Sequence, residues 1–236
     1  MSNTKTEVIL ALDVDSREQA NTILDQVGSQ LSWVKIGLQS YLRDGPGIID
    51  QCIQKEVNVF LDLKLHDIPN TMSKAIESLS VLPIKMLTLH TCAGPEALAL
   101  CAETAKKTMP ETMLLGVTVL TSMNRENLQS VGVSSGIEEQ VKRLACMAES
   151  AGIGGMVCSP LELPMLRKCL SSDIDLVTPG IRPTGSAKGD QKRIMTPKQA
   201  KDAGASYLVI GRPILAAPNP SEALDAIQVE LSVAAN

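Results

Sequence analysis

Short apolar runs rich in valine, isoleucine and leucine recur along the chain, separated by segments with helical spacing or turn residues. The runs are Val8–Val14, Trp33–Leu38, Val57–Leu65, Met86–Thr91, Met113–Leu120, Gly155–Cys158, Leu176–Ile181 and Tyr207–Ile214. Their near-continuous apolarity suits strands covered on both faces, and each interval has room for one crossover helix and two loops. Eight such units in 236 residues predict an α/β protein, a (β/α)8 TIM barrel, with residues 1–236 as a single domain. A doubly wound open sheet is the structural rival. It uses fewer strands and often a glycine-rich first turn, whereas the first turn here, Asp13-Val14-Asp15-Ser16, contains no glycine.

Polar residues gather at the C-terminal ends of these runs, which in a barrel all open on one face. The first run ends in Asp13, the second carries Lys35, and the third carries Asp62, Lys64 and Asp67 at its end. The fourth ends in His90 and Thr91, the fifth in Thr121 and Ser122, the seventh in Pro179-Gly180-Ile181-Arg182, and the eighth in Gly211-Arg212-Pro213. Strand alternation puts Asp62 and Lys64 on one face, roughly 6.5 Å apart along the chain. Proline at 69 should end the strand near Asp67, with Asn70 or Thr71 capping a helix whose apolar positions are Met72, Ile76 and Leu79. The polar segment Pro183–Arg193 reads as a loop beside the mouth, able to close as a lid.

Charge at the end of an apolar strand is costly unless it pairs or does chemistry. Asp13, Lys35, Asp62 and Lys64 alternate in sign and would stabilise one another on neighbouring strands; the plainer reading is a set of rim salt bridges. Gly211 and Arg212 stand where many barrels grip phosphate, with a surface arginine at a turn as the alternative. His66 falls opposite Lys64 if the strand stays regular, which favours a hydrogen-bonded structural histidine over an acid or base.

Composition narrows the partners. A net charge of -4 and 2% aromatic residues speak against a nucleic-acid partner and stacking platforms. No apolar run reaches membrane-spanning length, and the N-terminal residues are polar, so a cytoplasmic protein without membrane contact is expected. The 6 cysteines are scattered without a Cys-x-x-Cys pair, which favours reduced thiols over a zinc site.

The stretch Asp62-Leu-Lys-Leu-His-Asp-Ile-Pro-Asn-Thr71 resembles the signature of the orotidine 5'-phosphate decarboxylase family. The resemblance extends along nearly the whole chain through Leu10–Asp13, Val34–Gly37, Val119–Ser122, Thr178–Arg182, Gly189–Gln191 and Val209–Pro213, in the family's order. Leu65 is a small departure, since bacterial relatives often carry an aromatic residue there. The resemblance implies a cofactor-free homodimer that converts orotidine 5'-monophosphate to UMP, with active sites shared between subunits. It implies Lys64 as proton donor to C6, Asp62 beside the substrate carboxylate, and Lys35 with the partner's Asp67 completing the charge array. Asp13 and the partner's Thr71 would hold ribose hydroxyls, and the partner's Ile68 would border the leaving group or ring. Thr121 and Ser122 would meet the pyrimidine, Gln191, Arg212 and the Gly211 N–H would hold the phosphate, and Gln191 and Arg182 would be tied to lid closure. The rivals are a magnesium-dependent phosphosugar decarboxylase or aldolase on a related barrel, and a non-catalytic barrel that binds phosphoribosyl ligands.

Overall fold

The computed structural model describes residues 6–184 and 194–232. The strands are β1 (Glu7–Ala11), β2 (Trp33–Gly37), β3 (Asn58–Leu65), β4 (Met86–His90), β5 (Met113–Val117), β6 (Gly155–Val157), β7 (Asp175–Pro179) and β8 (Tyr207–Ile210). Each pairs in parallel with its sequence neighbour, and β8 pairs with β1 through Glu7↔Tyr207 to Leu10↔Ile210, which closes the barrel. The (β/α)8 architecture expected from the apolar rhythm is therefore the one the chain adopts.

Helices cover the outside because their apolar residues repeat on one stripe. In Arg17–Val27 the buried residues are Ala20, Ile23, Leu24 and Val27; Ser16 caps the start by accepting the Gln19 N–H, and Gly28 ends the helix at φ 52°. The inside of the barrel is a second core of Ile9, Ala11, Phe60, Met86, Leu115, Val177 and Val209. Trp33 and Tyr207 pack against it and meet edge to face, 5.4 Å between ring centroids. The chain holds 1 Phe, 1 Trp and 2 Tyr, so all but Tyr41 of its aromatic residues sit in or against this inner core. Bulky rings fill the bore, which makes the barrel a packed body and not a pore.

Several strands end earlier than the apolar runs. β5 stops at Val117 and β8 at Ile210, so Leu120 and Ile214 lie beyond the sheet. After β8, Gly211 caps a short helix, Arg212–Leu215, which has proline in its first turn. Proline there cannot donate to a ladder but suits a helix start. β3 ends at Leu65 and not near Asp67, and the next helix, Pro69–Leu79, begins ahead of the expected Asn70 or Thr71 cap. Ile68 occupies the cap position in the extended conformation that a residue before proline prefers, and Pro69 takes the first helical position. The pre-set φ of Pro69 therefore overrides the capping preference of Asn70 and Thr71.

Candidate active site

Strand alternation carries the inner core upward into chemistry. Two residues beyond Ala11, Trp33, Phe60 and Met86, toward the C-terminal ends of β1 to β4, stand Asp13, Lys35, Asp62 and Thr88. Of these, Lys35, Asp62 and Thr88 are buried. Side chains on one strand face return every second residue, so the same parity that fills the bore with apolar groups below presents these polar groups above.

The charges form one continuous chain. The Lys35 Nζ lies 3.0 Å from Asp13 Oδ1 and 3.7 Å from Asp62 Oδ2, and the Lys64 Nζ lies 2.8 Å from Asp62 Oδ1. Asp13 is half-exposed at the open end, whereas the side chains of Lys35 and Asp62 retain 11% and 12% of their exposure. Taking ions out of water is costly, and alternation of sign offsets that cost for each member. Gly37 makes room for the array: a Cβ atom built on it would stand 2.9 Å from both Asp13 Oδ1 and Lys35 Nζ.

Lys64 does not follow the regular strand geometry expected for it. The β3–β4 register passes from Leu61↔Leu87 to Leu65↔Leu89, so β3 spends two extra residues in a bulge. Within that bulge Lys64 has φ 52°, a left-handed backbone that costs a non-glycine residue on the order of 1–3 kcal/mol. The Lys64 N–H donates to Thr88 Oγ1 at 2.9 Å, and the Thr88 hydroxyl donates to Asp62 Oδ1 at 2.9 Å. Thr88 escaped the sequence reading, although its parity with Met86 and its place in a buried run were available as signals.

The bulge also removes the ground for placing His66 opposite Lys64. His66 is exposed, its ring centroid 5.6 Å from that of His90, with its Nε2 4.0 Å from Cys92 Sγ. The expected hydrogen bond is present, to Cys92 Sγ, but at an exposed position on the surface. Burial, followed by the nearby His66 and Lys64 charges, pushes the His90 pKa below its ordinary value, so this ring favours the neutral form.

The other expected site residues lie on the segments that follow the strands. Asp67, Ile68 and Thr71 are exposed, and the Asp67 carboxylate accepts a hydrogen bond from the Ile68 N–H at 2.7 Å. Thr121 and Ser122 occupy an exposed turn after β5. Arg182 is buried and donates to the Ile181 carbonyl at 2.8 Å, while its N–H bonds Met195 O at 2.9 Å. Together with the Ile181↔Met195 bridge, this ties the two flanks of the segment between them. Gly211 lies against Ala11, and Arg212 is exposed at the start of its short helix. Gln191 and all of the expected lid beyond Thr184 up to Arg193 lie outside the described residues. Burial pushes the Cys52 and Cys158 thiols up to about 12, which makes them poor nucleophiles.

A closed parallel barrel whose strand ends carry a buried array of alternating charges belongs among the (β/α)8 enzymes that place their chemistry at the C-terminal face. Residues 6–227 match the orotidine 5'-phosphate decarboxylase / HUMPS family, and the chain belongs to that family. It is 51% identical over 225 residues to the orotidine 5'-phosphate decarboxylase of Opitutus terrae, covering 95% of this chain and 98% of that protein. It is 47% identical over 232 residues to that of Pseudomonas putida, covering 98% and 99%. The crystal structure of orotidine 5'-phosphate decarboxylase from Lactobacillus acidophilus superposes with a TM-score of 0.87 at 36% identity, covering 97% of this chain and all of that one.

The Gly37→Ala variant tests the packing of the array. Its methyl group should force the Asp13–Lys35 pair apart, beyond about 4 Å in a crystal structure; an unchanged pair would show that Gly37 has no such part.

Proposed function

We propose that the chain decarboxylates orotidine 5'-monophosphate to UMP and carbon dioxide, the last step of de novo pyrimidine synthesis. Family membership and near-full-length identity to named decarboxylases support the reaction. The observation that carries the mechanism is the Asp13–Lys35–Asp62–Lys64 chain of ion pairs at the barrel mouth. When the C6–carboxylate bond breaks, its electron pair remains at C6 in an in-plane orbital that the ring's π system delocalises poorly. Fixed cations stabilise that charge, and Lys64 then gives C6 a proton. Asp62 holds the Lys64 ammonium in place and borders the substrate carboxylate, while Lys35 is set between Asp62 and Asp13. Asp13 takes ribose hydroxyls, Thr121 and Ser122 meet the pyrimidine, and Gly211, Arg212 and Gln191 hold the phosphate. Arg182 supports lid closure from its clamped position beside Met195.

The active unit in this reading is a homodimer with one barrel domain per subunit. The exposure of Asp67, of Thr71 and of Ile68, at 66%, supports their reaching into a partner's site. The cytoplasm is the compartment assigned, in keeping with six cysteines that are all unpaired. A magnesium-dependent reaction on the same barrel is disfavoured by the ammonium groups already beside both Asp13 and Asp62, where a divalent cation would need those carboxylates as ligands.

Decarboxylation followed by ultraviolet absorbance in EDTA should be fast in the wild type and lower by about 10³-fold or more in Lys64→Ala. No turnover by folded, dimeric wild-type protein would overturn the reading, and activity abolished by EDTA would favour the metal-dependent alternative. Arg212→Ala should lower kcat/KM on the order of 10²-fold, and an unchanged value would remove Arg212 from the phosphate site. Equal mixing of inactive Lys64→Ala and Asp67→Ala proteins, with subunit exchange, should restore roughly a quarter of the wild-type sites if each site takes Lys64 from one subunit and Asp67 from the other. Persistent inactivity after demonstrated exchange would place both residues in the same subunit's site.

A further inference from the structure

We propose that Thr88 is a positioning residue for the reaction, the hydroxyl that sets the aim of the Lys64 ammonium; this rests on the decarboxylase reading above. Thr88 is fully buried in β4, opposite the point where the β3–β4 ladder skips. An Oγ hydrogen can be given only once. Since the Lys64 N–H must donate, Thr88 Oγ1 accepts from it at 2.9 Å and directs its own hydrogen to Asp62 Oδ1, also at 2.9 Å. One hydroxyl thus holds the backbone of the proton donor and the carboxylate that anchors that donor's side chain.

The two bonds act on different coordinates. The bond from Lys64 N–H stabilises the left-handed backbone at φ 52°, a conformation that carries the side chain back toward Asp62. The bond to Asp62 fixes the rotation of a carboxylate whose oxygens meet Lys64 Nζ at 2.8 Å each and, on Oδ2, Lys35 Nζ at 3.7 Å. Without the hydroxyl, the bulge can relax and the carboxylate can turn, so the ammonium loses its fixed position relative to C6. Misplacement by a fraction of an ångström to an ångström acts on the proton transfer more than on substrate affinity, because remote phosphate and ribose contacts are untouched.

The test compares two substitutions that separate hydroxyl from volume. Thr88→Val keeps the shape and removes the hydroxyl, while Thr88→Ser keeps the hydroxyl and removes a methyl group. We expect Thr88→Val to lower kcat for orotidine 5'-monophosphate about 10- to 100-fold with KM within about threefold, and Thr88→Ser to hold kcat within about threefold of wild type. The reverse order, or a loss confined to KM, would mean a packing role and overturn the proposal, as would wild-type kcat in folded Thr88→Val. Should Thr88→Val fail to fold, Thr88→Cys, whose thiol donates only weakly, takes its place under the same expectation. A crystal structure of the hydroxyl-deficient variant keeps the proposal distinct from the reaction it rests on. Lys64 should leave the left-handed region and its 2.8 Å contact with Asp62 whether or not the wild type acts on this substrate. An unmoved Lys64 would overturn the positioning role by itself.

Discussion

A carboxylate withdrawn from water at the end of β3 holds this site together. Asp62 is 9% exposed and accepts from Lys64 and Thr88 while facing Lys35. Removing either ammonium leaves the carboxylate short of compensating charge, and removing the Thr88 hydroxyl costs it a hydrogen bond in a poorly hydrated place, so the array behaves as one unit. The bulge of β3, the open backbone at Gly37 and the hydroxyl of Thr88 all serve to let these groups approach one another. Such a site suits a reaction whose difficulty is electrostatic, because fixed charges need little reorganisation when charge develops on the substrate.

The barrel separates support from chemistry along its axis. Toward the N-terminal ends of the strands, Phe60, Trp33 and Tyr207 fill the bore with dry, bulky surface. Two residues beyond Phe60 and Trp33, on the same faces, stand the charged Asp62 and Lys35, with no change of scaffold. Side chains anchored on closed, hydrogen-bonded strands can hold ångström-scale geometry, while flanking turns such as Thr121-Ser122 and the exposed Asp67–Thr71 stretch remain open to solvent.

Much of this was legible in the chain because burial on both faces of a parallel strand leaves a near-continuous apolar run, and eight such runs specify the barrel. The charged residues at their ends were legible for the complementary reason, that ions in such places are costly without a task. Asp13, Lys35, Asp62 and Lys64 are marked out by that cost in the sequence itself. The sequence by itself determined the strand order, the face on which the polar groups gather and the residue types available for the chemistry.

Only the tertiary structure decided how those groups meet. Lys64 lies in a left-handed bulge because β4 offers it Thr88 across an interrupted ladder, a contact between residues 24 apart that no strand periodicity contains. The same bulge carries His66 out to the surface, where alternation had set it against the opposite face. Pro69 moved the helix start ahead of Asn70 because a fixed φ outweighs a side-chain cap. Local patterns report which face a residue prefers; the fit between two neighbouring strands selects one strained backbone among the conformations those patterns permit.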